Sequence, residues 1–200
     1  MSKHLDAPFH TRGESLYVDD NPPPDGMLHA AVFASPVAHG EIRSIDVSPA
    51  LERDDVVAVF TAADIPGENE IGPILKGEVL LAEEKVEYIG QPVAFVVAES
   101  HEGAREAAQA IQMEVDELPV VVDPREAHAK GQFIDTPRTF SLGDVDEAFG
   151  DCDVVVEGEC EIAGQEHLYL ETNRARAVPE EGERVKCYSS TQSPYAVQKS

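Results

Sequence analysis

The chain has 200 residues, 42% of them hydrophobic, and its 39 acidic against 15 basic residues leave a formal net charge of −24. That length and apolar content suit one packed domain with part of another, and exclude a disordered chain. So acidic a surface repels phosphate backbones and anionic lipid, which excludes nucleic acid and membrane as natural partners.

The first 26 residues are polar and close in "DDNPPPDG", a polyproline-like approach ending in a turn. The opening "MSKHLDAPFHTRG" lacks the apolar core of a signal peptide, and no apolar run reaches about 18 residues, so a cytoplasmic protein is expected. "MLHAAVFASP" (27–36) reads as a buried strand and "HGEIRSIDVS" (39–48) as an alternating one. Ser48 is an expected N-cap, with Pro49 opening a short helix through Leu51. "VVAVFTAADIP" (56–66) is a strand running into a capping box from Thr61 to Asp64. Residues 67–84 are turn-rich, and strands are expected at "KVEYIGQP" (85–92) and at "VAFVVAES" (93–100), the most apolar run of the chain. Ala104, Ala107, Ala108 and Ile111 then share one face of an amphipathic helix, and "MEVDELP" (113–119) closes the unit as a strand. Strands covered by a helix make residues 12–120 an α/β or α+β domain.

Residues 120–143 hold two prolines and no sustained period, the pattern of a linker. Asp144 to Glu147 form a capping box for a one-turn helix ending at Gly150. "CDVVVEGECEI" (152–162), "GQEHLYLETNRARAV" (164–178) and "ERVKCYSSTQ" (183–192) follow as expected strands, and Ser193-Pro194 starts a helix that is soon cut off. Cys152, Cys160 and Cys187 lack CxxC spacing, which argues against a disulfide framework and against a zinc or iron–sulfur knot. Cys152 and Cys160 are expected as small core residues.

No dinucleotide fingerprint, Walker loop, nucleophile elbow or His-Glu-x-x-His is present. His167 and Glu171 stand four apart, either as a metal pair or as a satisfied polar pair, and only a helix would favour the metal. His29 and His39 read as ordinary strand or turn residues, and the hydroxyls of "SSTQSP" as turn and cap chemistry. On a strand, Gln165, His167, Tyr169 and Glu171 would share a face. Two glutamines follow glycines, Gly90-Gln91 and Gly164-Gln165. Each could fasten a turn, or could offer an uncharged donor to a ligand that the glycine allows to come close.

"GESLYVDD", "GMLHAAVFASPVAHGEIRSID", "DVVAVFTAADIPGENEIGPI", "YIGQPVAFVVAES", "ELP", "GDVDEAF" and "GQEHLYLET" stand in that order from Arg12 onward. Together they resemble the large subunit of molybdenum hydroxylases, the xanthine dehydrogenase and aldehyde oxidase family. "DIPGENEIGPI" looks more like the xanthine dehydrogenases. The resemblance implies an α+β fold: an α/β hammerhead domain at 12–120, a linker at 121–143, and from 144 to 200 the truncated start of a molybdopterin-binding domain. It implies that Gln165 lies beside a molybdenum held by the pterin's dithiolene, and that no residue here is the catalytic base, which is a glutamate further downstream. The implied reaction hydroxylates a purine such as xanthine or hypoxanthine with oxygen from water, and electrons leave through iron–sulfur clusters and FAD on partner domains or subunits. Leu168 stands where the family carries an aromatic, and on the strand reading it points away from Gln165 into repacked core. The competing expectation is a non-catalytic docking or scaffolding module that keeps the hammerhead domain.

Overall fold

The computed structural model describes residues 6–72 and 76–199. Residues 1–5 of the N-terminal stretch, Pro73 and Ile74 of "DIPGENEIGPI", Leu75 and Ser200 lie outside the described residues. The chain divides into two units, Met1–Val120 with Leu170–Ser200, and Val121–Tyr169.

The first unit begins with helix α1 (Ala7–Arg12), ended by Gly13 in the left-handed region, and a 3-10 turn at Val18–Asp20. Then come β1 (His29–Ala34), β2 (Gly40–Asp46), α2 (Ser48–Leu51), β3 (Val56–Thr61), β4 (Lys85–Val86), β5 (Pro92–Ala98), α3 (His101–Ala110) and β6 (Gln112–Glu117). They form two three-stranded antiparallel sheets, ordered β1-β5-β3 and β4-β2-β6. The most apolar run of the sequence becomes β5, the middle strand of the first sheet, where Val93, Ala94, Val96 and Ala98 are fully buried. Helix α3 starts where the Ser100 hydroxyl accepts the Gly103 amide at 3.0 Å. Its alanine face is buried at Ala104, Ala107 and Ala108, and Ala107 and Ala108 pack with Ala50, Ala94, Val96 and Ile111 into the core. Small side chains there let the helix sit close on the sheet. The mixed helix-and-strand architecture read from the sequence is present, with the helix on one face of a sheet.

Several elements differ in detail. Ser48 is inside α2 and not its cap; Asp46 accepts the Ser48 amide at 2.9 Å instead. The capping box at Thr61 is present, with Asp64 accepting the Thr61 amide at 2.8 Å. The expected strand over 85–92 shrinks to the two residues of β4, because Gly90 at φ 91 turns the chain and Gln91 ties off the turn. In the 67–84 region Asn69 Oδ1 accepts the amides of Leu80 and Leu81 at 3.0 and 3.1 Å. The Glu70 carboxylate takes the Gly77 and Gly72 amides at 2.6 and 2.9 Å, which hold it below its usual range, Gly77 most. An apparently irregular stretch is thus stapled by two neighbouring side chains.

The second unit holds α4 (Pro124–Ala129), capped by Asp123 on the Arg125 and Glu126 amides, and α5 (Val145–Gly150), capped by Asp144 on the Glu147 amide at 3.0 Å. None of its described residues is buried. The expected strand at 152–162 and the first part of the one at 164–178 do not form; strand β7 begins only at Ala175. Alternation favours a strand only where a neighbouring strand supplies hydrogen bonds and covers the apolar face, and this stretch pairs with none among the described residues. Cys152 and Cys160 are consequently exposed, not core residues, and Leu168 is exposed with φ 47 in the left-handed region, so no repacking follows from it.

The returning part of the first unit is the hairpin of β7 (Ala175–Pro179) and β8 (Val185–Ser189), followed by α6 (Pro194–Lys199). An N-terminal arm is clasped to it. Glu171 accepts the Val18 amide at 2.6 Å, Arg174 pairs with Asp19 at 3.1 Å, and Arg176 donates to the carbonyls of Asn21 and Pro22 at 3.3 and 3.1 Å. Arg176 also lies over the Tyr188 ring, 4.8 Å from its centre.

Arg53 bonds both Asp55 and Glu106, at 3.0 and 2.9 Å, and holds the Asp55 carboxyl below its usual range. Such pairing cannot be general, because 39 acids face only 15 basic residues. Raising ionic strength from about 0.01 M to 1 M shortens the Debye length from about 30 Å to 3 Å and screens the surplus repulsion. The melting temperature is therefore expected to rise with salt, by about 2–4 °C for each kcal/mol of repulsion relieved. A thermal scan giving the same midpoint at both salts would show that the surplus charge is not destabilising.

Candidate cofactor-contact site

Gln165 sits in the second unit on a stretch without regular secondary structure, exposed, and its amide makes no hydrogen bond among the described residues. Its neighbours are locally occupied: the Glu166 carboxylate accepts the His167 amide at 3.0 Å. A Cβ added at Gly164 would meet nothing within 4 Å. Nothing in the chain's own packing therefore requires glycine before Gln165, and the exposed amide is open to solvent.

Gln91 behaves in the opposite way. Its side chain is only 5% exposed, and its carbonyl oxygen accepts the Glu87 amide at 2.7 Å. The backbone on either side is tied to Ser35, with Gly90 donating to the Ser35 carbonyl and Ser35 donating to the Gln91 carbonyl, each at 2.8 Å. Gln91 fastens a turn, and the two glutamines that look alike in sequence part company.

The other candidates resolve in the same manner. Glu171 does not join His167 as a ligand pair on a helix; its carboxylate is taken by the Val18 amide, and the stretch is not helical. His39 Nδ1 is hydrogen-bonded to the Pro119 carbonyl at 2.8 Å, and His29 meets His101 edge to face at 6.4 Å. Ser190 accepts the Arg174 amide and donates to the Thr172 carbonyl, at 2.8 and 2.7 Å, which is turn chemistry. Among the described residues, no three His, Cys, Asp or Glu side chains converge to hold a metal ion. The donor set at Gln165 is thus a neutral amide, suited to hydrogen-bond a ligand's polar atoms and not to ligate a metal.

Sequence reasoning missed the clasp of the N-terminal arm on the hairpin. Its one trace is the alternation Arg174-Ala-Arg176, which puts both guanidinium groups on one side of a strand, but their partners lie about 155 residues away in the chain.

Residues 12–119 match the family model described as aldehyde oxidase and xanthine dehydrogenase, a/b hammerhead domain. The chain belongs to this family. Residues 126–200, which include Gln165, match the molybdopterin cofactor-binding domain. Among curated relatives, the chain is 42% identical over 200 residues to xanthine dehydrogenase 1 of Arabidopsis thaliana, covering 98% of this chain and 15% of that protein. It is 41% identical over 198 residues to aldehyde oxidase 2 of Macaca fascicularis, covering 98% and 14% respectively. Among solved structures, the aldehyde oxidoreductase of Desulfovibrio gigas superposes with a TM-score of 0.78 at 29% identity, over 92% of this chain and 23% of that one. The chain of this family member therefore spans about 15% of the length of the curated relatives it matches. No helix of the described residues is long and apolar enough to cross a membrane.

Proposed function

We propose that this chain is part of the molybdenum-binding subunit of a xanthine dehydrogenase-like hydroxylase, oxidising a purine such as xanthine or hypoxanthine, and that Gln165 contacts the cofactor. The observation that carries the reading is the unpartnered amide of Gln165, beside a glycine that the chain's own packing does not need, inside the stretch that matches the molybdopterin cofactor-binding domain. The division we favour is a hammerhead domain at 12–120, a connector at 121–143 and the cofactor domain from 144; the family match to the cofactor domain starts at 126, so α4 stands at the border. Three exposed free cysteines suit a reducing, cytoplasmic setting. The purine is supported by the likeness of "DIPGENEIGPI" to xanthine dehydrogenases; overall identity, 42% to a xanthine dehydrogenase and 41% to an aldehyde oxidase, does not separate the two substrate classes.

When bound, molybdopterin would supply a metal centre able to take two electrons from the substrate carbon as it becomes oxygenated. Gln165 would donate its amide N–H to a polar atom of that group, orienting it and favouring the more electron-rich state without adding a charge. Gly164 leaves room for close approach. None of the neighbouring acids acts as base: Glu171 is held by the arm and Glu166 by its own backbone neighbour. The glutamate base, the iron–sulfur clusters and FAD belong in this reading to other parts of the longer enzyme.

Elemental mass spectrometry of the complete protein purified from its source is expected to find stoichiometric molybdenum with iron and flavin, and the same preparation should turn over xanthine or hypoxanthine. Absence of molybdenum would overturn the reading in favour of a docking module. Molybdenum with turnover of aldehydes but not of purines would keep the family chemistry and remove the purine.

A further inference from the structure

We propose that Glu171 is a positioning residue for Gln165: by holding the Val18 amide it seats the N-terminal arm on the chain just beyond Gln165, and so limits where the Gln165 amide can go. The inference rests on the reading of Gln165 as the cofactor contact. Residues 154–174 contain no helix or strand, so regular secondary structure does not fix Gln165 from within that stretch. At Glu171 the chain is gripped. Three side chains between 171 and 176 each take a successive part of the arm. The Glu171 carboxylate accepts the Val18 amide at 2.6 Å, Arg174 pairs with Asp19 at 3.1 Å, and Arg176 donates to the carbonyls of Asn21 and Pro22 at 3.3 and 3.1 Å.

The arm is a firm counterpart because its own side chains fold it. Asp20 accepts the Tyr17 amide at 2.9 Å, and the Asn21 side-chain amide donates to the Tyr17 and Val18 carbonyls at 2.8 and 3.2 Å. Those bonds close the 3-10 turn at Val18–Asp20 without the hairpin. Val18 opens that turn, where an N–H finds no acceptor inside the turn itself, and Glu171 supplies one. A carboxylate on an amide is the stronger class of hydrogen bond. Arg176 completes the grip at a cost, since its Nε is buried with no hydrogen-bond partner among the described residues. A buried donor left unpaired subtracts from stability, which points to a role for the grip other than stability. Gln165 precedes Glu171 by only six residues, about 20 Å of fully extended chain. A fixed point that close narrows the range of the amide, and a displacement of about 1 Å at a reacting centre costs up to about 100-fold in rate.

The test is a double-mutant cycle in the complete enzyme, with turnover expressed per molybdenum. Val18→Pro deletes the one N–H that Glu171 holds. Proline suits the first position of such a turn, and Tyr17 before it is already extended. The variant should lower kcat by about 3–10-fold and leave the KM for xanthine within about twofold. In a Gln165→Ala background it should cause no further loss, because a residue that acts through Gln165 has nothing left to position. The second readout needs no cofactor. In the metal-free protein, Glu171→Ala should speed hydrogen exchange at the Val18 amide by at least about tenfold. Unaltered kcat in Val18→Pro would overturn the proposal. An equal loss in both backgrounds would do the same and leave the grip as a general stabiliser, and so would unaltered exchange at Val18. The functional reading fails by a different result: full turnover in Gln165→Ala sinks that reading, whereas a loss there with none in Val18→Pro sinks the role of Glu171 alone.

Discussion

Alanine at Gly40 is expected to destabilise the protein by about 1–3 kcal/mol, the range found for overpacked cores. Gly40 is buried at the start of β2, the middle strand of its sheet, paired with Val86 on β4 and Glu117 on β6. A Cβ placed there would collide with Val115 Cγ1 and stand 2.8 Å from the Asp116 carbonyl oxygen and 3.3 Å from its carbon. The valine can turn to another rotamer. The Asp116 carbonyl cannot, because it belongs to the backbone of the neighbouring strand, so relief requires the β2–β6 ladder to shift. Glycine is used here for close approach of two backbones and not for an unusual torsion. Gly67 is the control, since a Cβ there meets nothing within 4 Å and its φ lies outside the left-handed region. Urea titration should show a lowered midpoint for Gly40→Ala and a change within about 0.5 kcal/mol for Gly67→Ala. Equal midpoints for the two variants would mean that the sheets have more slack than their geometry indicates.

The second large effect is expected at Gln165. In the complete enzyme, Gln165→Ala should lower turnover by about 10–100-fold, the usual cost of losing a hydrogen-bonding group around a metal centre. That range corresponds to about 1.4–2.8 kcal/mol of barrier. The urea midpoint should stay unchanged, because the side chain is exposed and makes no hydrogen bond among the described residues. Gln91→Ala offers the contrast: it removes the acceptor of the Glu87 amide in a nearly buried turn and should cost stability more than turnover. Unchanged turnover in Gln165→Ala with full molybdenum content would remove Gln165 from the cofactor's surroundings.

What the sequence determined by itself is what depends on neighbours within one turn or one strand. The caps at Ser100, Asp123 and Asp144 and the Thr61–Asp64 box are side chain to backbone bonds spanning two or three residues. Of these, only the Asp144 cap and the Thr61–Asp64 box are read from the sequence; Ser100 is overshadowed by the apolar periodicity after it, and Asp123 by prolines that look like a linker, although Pro124 in the first turn is itself a helix-start signal. The apolar run that became β5 and the alanine face of α3 were equally legible, since periodicity says which side of an element faces the core. The collinear motifs carried the family, and with it the importance of Gln165.

The tertiary structure decided everything that needs a partner distant in the chain. Alternation at 152–162 is the same kind of pattern as in β2 or β6, but a strand exists only where another strand completes its hydrogen bonds, and none among the described residues does so here. Cys152 and Cys160 were assigned to a core by that same alternation and lie exposed for the same reason. Gln91 and Gln165 each follow a glycine, and only the surroundings separate a side chain locked on the Glu87 amide from one with no hydrogen bond among the described residues. The clasp of Val18–Pro22 on Glu171, Arg174 and Arg176 is written in residues that are unremarkable locally. Local bonds are fixed by the chain's own geometry, whereas pairing across more than a hundred residues depends on which surfaces the whole fold brings together.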